Sequence, residues 1–400
     1  MSRIAYISFD GNIFTIKPDG TDPRRLTTTD LQDGPFGQLL AHTQEPRLHY
    51  AWPIWSPDGK KLATSRINAD SSFSLDVVDI STGKTTTIYN NEPQTAPVSR
   101  GAPHVMCWSP NAQHLTFLAS TSRDLTLFIS TPEEQREPSL LMEGGPIYFG
   151  WAEDSSALLV HCGAELFLAY PDIGQSQTVQ PLGTVGAAFK APSLSHDASQ
   201  MVYVSTGAAG IGLYLASTQS HSTEARLLFD AVPPVAFQWS PAKGEILVAD
   251  AINETRPVFQ RLTKVNLNGT PHKTLINEPY LAFFWSPNKE RIVFLTFNVE
   301  RSSLTWKYLK EPGGAPVELV EFWPSGLLLT MVSDFDQFAF SNPVWSPDSR
   351  SILFCGTLVP RSGRRNGGSP GQDKIYVLDV EEGATPREIA DGPFAVWSWN

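Results

Sequence analysis

The chain has 400 residues, 41% hydrophobic and 18% charged, with Pro 32 and Gly 29, enough apolar surface for one large domain with many turns. A formal net charge of −11 argues against nucleic acid or anionic membrane as the main partner, because such surfaces need a basic excess. Cys107, Cys162 and Cys355 lie far apart without CxxC spacing, so small buried apolar side chains are expected rather than a disulfide or metal framework.

In chain order, RIAYISF alternates as a strand and reaches Asp10 early, so it is not a secretory leader. No apolar run attains the ~18 residues of a membrane span. Beginning at Met1, the chain is expected to be cytoplasmic, or periplasmic if a signal peptide precedes it. NIFTIKP and RRLT complete three N-terminal strands.

A long loop, expected over 28–52, leads to WSPDGKK at Trp55. Ser-Pro-Asp-Gly is a tight-turn sequence: Pro sets φ, Asp bonds ahead to the backbone, and Gly accepts a positive φ. The pattern returns at Trp108, Trp151, Trp239, Trp285 and Trp345, with a degraded copy at Leu194. Seven residues after each anchor stands a large aliphatic residue: Leu62, Leu115, Leu158, Met201, Ile246, Ile292 and Ile352. Each belongs to a short alternating run such as EILVAD. A second run follows (for example LTLFIS), then a polar turn and a third run such as TTTIY. Period-2 alternation between turns predicts strands. With the segment ending at Trp, each unit holds four strands, and units of roughly 40–60 residues with four strands predict propeller blades.

FAVWSWN closes the chain with a further Trp at 397. Counting on from it across the termini reaches Ile4, so residues 394–400 and 1–27 are expected to share a closing blade. The predicted fold is one all-β domain over 1–400, an eight-bladed propeller of four-stranded antiparallel blades; the alternative is seven. Each Trp is expected to bury its ring against a neighbouring blade, which makes WSPDG architecture.

At WSPDGKKLA, WSPDSRSILF and NIFTIKPDGTDPRRLT the sequence resembles the TolB-like propeller repeat, found also in the N-terminal propellers of prolyl oligopeptidase and dipeptidyl peptidase. The resemblance covers nearly the whole chain. It implies a binding scaffold. The propeller is expected to take up the whole of 1–400, so neither the hydrolase domain of the peptidases nor the second domain of TolB is expected within these residues.

Catalytic motifs are few. Ser195-His196-Asp197 are neighbours in a turn and cannot converge as a triad. There is no GxSxG elbow and no Walker loop. The sequons at Asn253 and Asn268 are uninformative in a cytoplasmic chain, and Asp334-Phe335-Asp336 lacks the further oxygens of a calcium loop. Among related propellers, some lyases hold a metal in the channel with histidines, which makes His42, His49 and His104 the basis of an alternative: a small-molecule lyase or hydrolase with a channel metal.

The leading expectation is a non-catalytic protein- or peptide-binding scaffold, monomeric and without a cofactor. Long segments at 28–52, 321–344 and 357–372 put the binding face opposite the WSPDG turns. The channel mouth is expected to gather Arg47, His49, Tyr50, Arg100, His104, Tyr148, Lys190, Tyr280, Asp334 and Asp336. Such a basic and aromatic set suits a peptide or an anionic small ligand. LLLTMV, inside 321–344, is too apolar for water and is expected to pack as an extra strand or helical turn, or to act as a lid.

Overall fold

The computed structural model describes residues 2–28, 50–68, 72–91, 105–134, 136–171, 178–185, 190–207, 210–219, 225–240, 244–253, 258–268, 272–310, 314–360 and 372–399. The chain is all-β, built of four-stranded antiparallel sheets in which successive strands lie side by side. The unit at Trp108 is representative: Met106–Trp108, Leu115–Ser120, Leu125–Ser130 and Ser139–Glu143 pair in that order. Alternation selects this arrangement, since each strand buries one row of side chains against each flanking sheet.

Strands from the two ends share a sheet. Phe394–Trp397 pairs with Ile4–Ile7, which pairs with Ile13–Ile16 and then Arg24–Arg25. Ile4 lies opposite Trp397 and Ile7 opposite Phe394. Ile4, Tyr6 and Ile16 pack with Leu353, Ile375 and Val377, while Ala5 and Ile13 pack with Trp55, Leu62 and Val78. This terminal sheet therefore lies between the units that precede and follow it in sequence.

One junction differs from expectation. The strand Pro316–Pro324 runs past its own unit and pairs with Ser351–Leu358 of the next, joining seven strands into one sheet. Its register sets Pro324 opposite Gly356. A Cβ on Gly356 would stand 2.0 Å from the Trp323 carbonyl oxygen, so only glycine allows the two backbones to meet. The Trp345 segment makes just an isolated bridge to Ile352.

The anticipated loops also prove shorter in part: a strand begins at Tyr50, and 321–344 starts as strand and continues as helix. That helix, α1, spans Gly326–Ser333, and a single turn, α2, spans Phe335–Phe338. Ser325 caps α1, its hydroxyl accepting from the Leu328 N–H at 3.2 Å. Leu328, Met331, Val332, Phe335 and Phe338 are buried, which resolves LLLTMV as a packed helix. Of the cysteines only Cys355 is fully buried; Cys107 and Cys162 are half-buried. Among the described residues no helix is long and apolar enough to cross a membrane.

Candidate functional site

The Ser-Pro-Asp-Gly turns are held by their own polar atoms. Ser56 Oγ donates to Asp58 Oδ1 at 2.7 Å and accepts from the Lys61 N–H at 2.9 Å. Ser109, Ser195, Ser286 and Ser346 repeat the arrangement. In the Ser195-His196-Asp197 copy, hydroxyl bonds from Ser199 and Ser195 hold the Asp197 carboxyl down at about 2. His196 points instead at Glu153, 3.4 Å away. These three residues make a turn and form no triad.

The segment 325–342 runs across the first strands of several units. Phe338 stacks on Trp52 at 4.9 Å between ring centroids, and Trp52 meets Phe394 edge-on. Phe335 is packed edge-on by Phe259, Phe283 and Phe284. Asn342 Nδ2 donates to the Pro53 carbonyl at 3.4 Å, and Ser325 Oγ donates to that of Pro393. With Phe335 and Phe338 buried at both ends of α2, the segment is a fixed filling between first strands. It does not have the exposure of a hinged lid.

Beside it lies a cavity of about 360 Å³, within the usual span of ligand sites. Its wall is aromatic: Trp55, Trp108, Trp151, Trp239 and Trp399 all line it. Gln337, Phe340 and Ser341 enter from the filling segment, beside Tyr148. Pro57, Pro110, Glu153 and Lys289 belong to the Trp-anchored turns and mark the end at which these turns stand. Among the described residues the lining includes only two charged side chains, Glu153 and Lys289. Cys107 is also present, its thiol pushed up to about 12 by burial, which makes it a poor nucleophile.

The expected site residues divide three ways. Tyr148, Lys190 and Asp336 come together, with Asp334 close by: Lys190 Nζ donates to Asp336 Oδ2 at 2.8 Å. The Tyr148 hydroxyl is raised first by burial and then by the Asp336 and Asp334 carboxylates, with the nearby Gln337 side chain acting in the opposite direction. Tyr50 and Tyr280 are core residues. Tyr50 packs with Ile13, Trp55 and Leu62; Tyr280 stacks on Phe259, and its hydroxyl donates to the Arg261 carbonyl at 3.0 Å. Arg47, His49, Arg100 and His104, with His42, lie outside the described residues. Sequence reasoning missed Gln337, Ser341 and the cavity-facing role of the tryptophans. The recurrence of Trp at one register was the available signal, and it was assigned wholly to packing.

No family model matches the chain, and no curated protein matches it. Solved structures do. A prolyl endopeptidase aligns at a TM-score of 0.55 with 13% identity, over 96% of this chain and 58% of that one. A eukaryotic initiation factor aligns at 0.54 with 12% identity, over 99% and 98%. TolB from Acinetobacter baumannii is 17% identical over 70% of this chain and 63% of its own, at a TM-score of 0.39. The chain thus spans less than two thirds of the TolB and prolyl endopeptidase structures. In fold it is similar to the β-propeller of the prolyl endopeptidase.

Proposed function

We propose that this chain is a non-catalytic binding scaffold: an eight-bladed propeller, closed by its two ends, that receives a protein or peptide segment in the tryptophan-lined cavity. The observation that carries the reading is the cavity itself, a concave apolar wall with a few polar groups to one side, as binding pockets generally are. Tryptophan is also the residue type most enriched where binding energy concentrates. A peptide is favoured over an anionic small ligand because the described lining sets one carboxylate, Glu153, against its one cation, Lys289, and Lys190, which was expected to hold an anion, is engaged by Asp336. On this reading the entrance is at the turn end of the cavity, where Pro57, Pro110 and Lys289 stand, and not on the opposite face that the long segments suggested.

The test is panning of displayed random peptides on the wild-type chain and on Ser193→Phe, which places a ring in the cavity from a half-buried position. The expected result is a set of peptides that bind wild type and weaken at least about tenfold on the variant. Enrichment that ignores the substitution places binding elsewhere. Cleavage or chemical change of bound peptide, seen by mass spectrometry, contradicts a non-catalytic role.

A further inference from the structure

Which side chain the cavity admits follows from its chemistry, given the binding reading above. We propose that it selects a neutral aromatic side chain with a hydrogen-bonding tip, tyrosine before all others, carried on an uncharged stretch of peptide. The first argument is the wall. A wall of indoles from Trp55, Trp108, Trp151 and Trp239 favours an aromatic ring over a branched aliphatic group.

The second argument is the polar side. Tyr148, Gln337 and Ser341 line the cavity together, and the Ser341 hydroxyl lies 3.0 Å from Asn342 Oδ1. A phenolic hydroxyl both donates and accepts, so it can join this group. A plain hydrocarbon ring strips water from the same atoms and returns nothing.

The third argument is charge. Among the described residues the lining carries one carboxylate, Glu153, and one cation, Lys289, both on the Trp-anchored turns, while a ligand carboxylate reaching the Tyr148 side approaches Asp336 and Asp334. An ammonium loses its water to an apolar shell with no carboxylate left unengaged at Asp336, which Lys190 holds. A neutral tip avoids both costs.

The test is calorimetric titration of the whole chain, with tryptophan emission as a second readout, using the N-acetyl amides of tyrosine, phenylalanine, leucine, glutamate and lysine. The tyrosine amide is expected to bind at least about tenfold more tightly than the others, because a site built around a hydroxyl rejects the analogue that lacks it. Gln337→Ala should bring tyrosine and phenylalanine to near parity. Ser193→Phe, or Ala191→Leu should the first variant melt early, should abolish binding. Equal affinity for tyrosine and phenylalanine, or a preference unchanged by Gln337→Ala, overturns the selectivity. Peptides that depend on the cavity but show no tyrosine leave the scaffold reading standing and this inference refuted. Binding of p-cresol as tightly as any tyrosyl peptide overturns the peptide source.

Discussion

The indole N–H of Trp55 donates to the backbone carbonyl of Val396, 3.3 Å away. The same bond recurs elsewhere: Trp345 donates to the Phe284 carbonyl at 3.1 Å. Val396 stands just before Trp397, as Phe284 stands just before Trp285. The terminal sheet is therefore linked to the unit after it as two internal units are linked to each other. That equivalence supports the proposed ring, in which Phe394–Trp397 covers the edge that Ile4–Ile7 would otherwise expose.

Closure carries a stability consequence. Deleting residues 1–9 removes Ile4, Tyr6 and Ile7, all buried, at about 1.5–3 kcal/mol each, and uncovers the flanking sheets. A fall in Tm well beyond that of an ordinary terminal truncation is expected, with increased aggregation. A gentler probe is Gly392→Ala, whose Cβ would meet the Ile7 carbonyl oxygen at 2.1 Å. It should cost about 1–3 kcal/mol by overpacking. Thermal unfolding with either melting point unchanged would count against closure.

The turns supply a stabilising prediction. Gly59 of the first turn has φ 70°, and the equivalent positions keep that conformation without glycine: Ala112 at 62°, Ala198 at 55°, Lys289 at 57°. A left-handed residue bearing Cβ costs roughly 1–2 kcal/mol, partly offset by the greater unfolded-state freedom of glycine. Ala112→Gly and Ala198→Gly should each stabilise by about 0.5–1 kcal/mol in denaturant unfolding. Ser155 and Ser349 are poor choices, because their hydroxyls accept from the Asn111 and Asn288 N–H groups.

Acid should weaken the fold at His161. It is buried beside the Lys190 carbonyl, 3.5 Å from Nδ1, and burial lowers its pKa from the usual 6.5. The unfolded chain then binds a proton more readily than the folded one, so stability is full above about 6.5 and declines as pH falls below it. The depressed carboxyls, Asp79 and Asp197 at about 2, lose their contribution in a separate and more acidic window. Tm measured from pH 7.5 to 5 should fall, and His161→Gln should flatten that slope. Equal slopes in wild type and variant would assign the effect to other groups.

Strand positions were legible because each unit is written in period 2 and punctuated by turns; the runs LTLFIS and EILVAD coincide with their strands. The terminal pairing was legible from one register count. LLLTMV was open between strand and helix, since a six-residue apolar run has no period long enough to decide; the Ser325 cap and the packing of Phe335 among Phe259, Phe283 and Phe284 decide it. Tyr280 looked like a channel residue by position alone, but a strand's alternation does not say which side faces a neighbouring sheet. The cavity stayed hidden for a related reason. A tryptophan that seals two sheets and one that lines a pocket share the same sequence signature.

The ion pair between Lys190 and Asp336 ties the filling segment to the region beside His161. Asp336 is the more enclosed partner, its side chain 11% exposed against 28% for Lys190. Lys190→Met leaves that carboxylate uncompensated in an apolar setting, a loss of about 2–4 kcal/mol. Replacing both partners, as Lys190→Met with Asp336→Leu, removes the stranded charge together with its counterion. The double variant should therefore be more stable than the single one, by a coupling of about 1–3 kcal/mol. Because Gln337 and Ser341 ride on the same segment, the single variant should also loosen ligand binding while the double variant retains it. A double variant no more stable than Lys190→Met would mean that solvent already screens the pair, and that the aromatic contacts of Phe335 and Phe338 alone hold the segment in place.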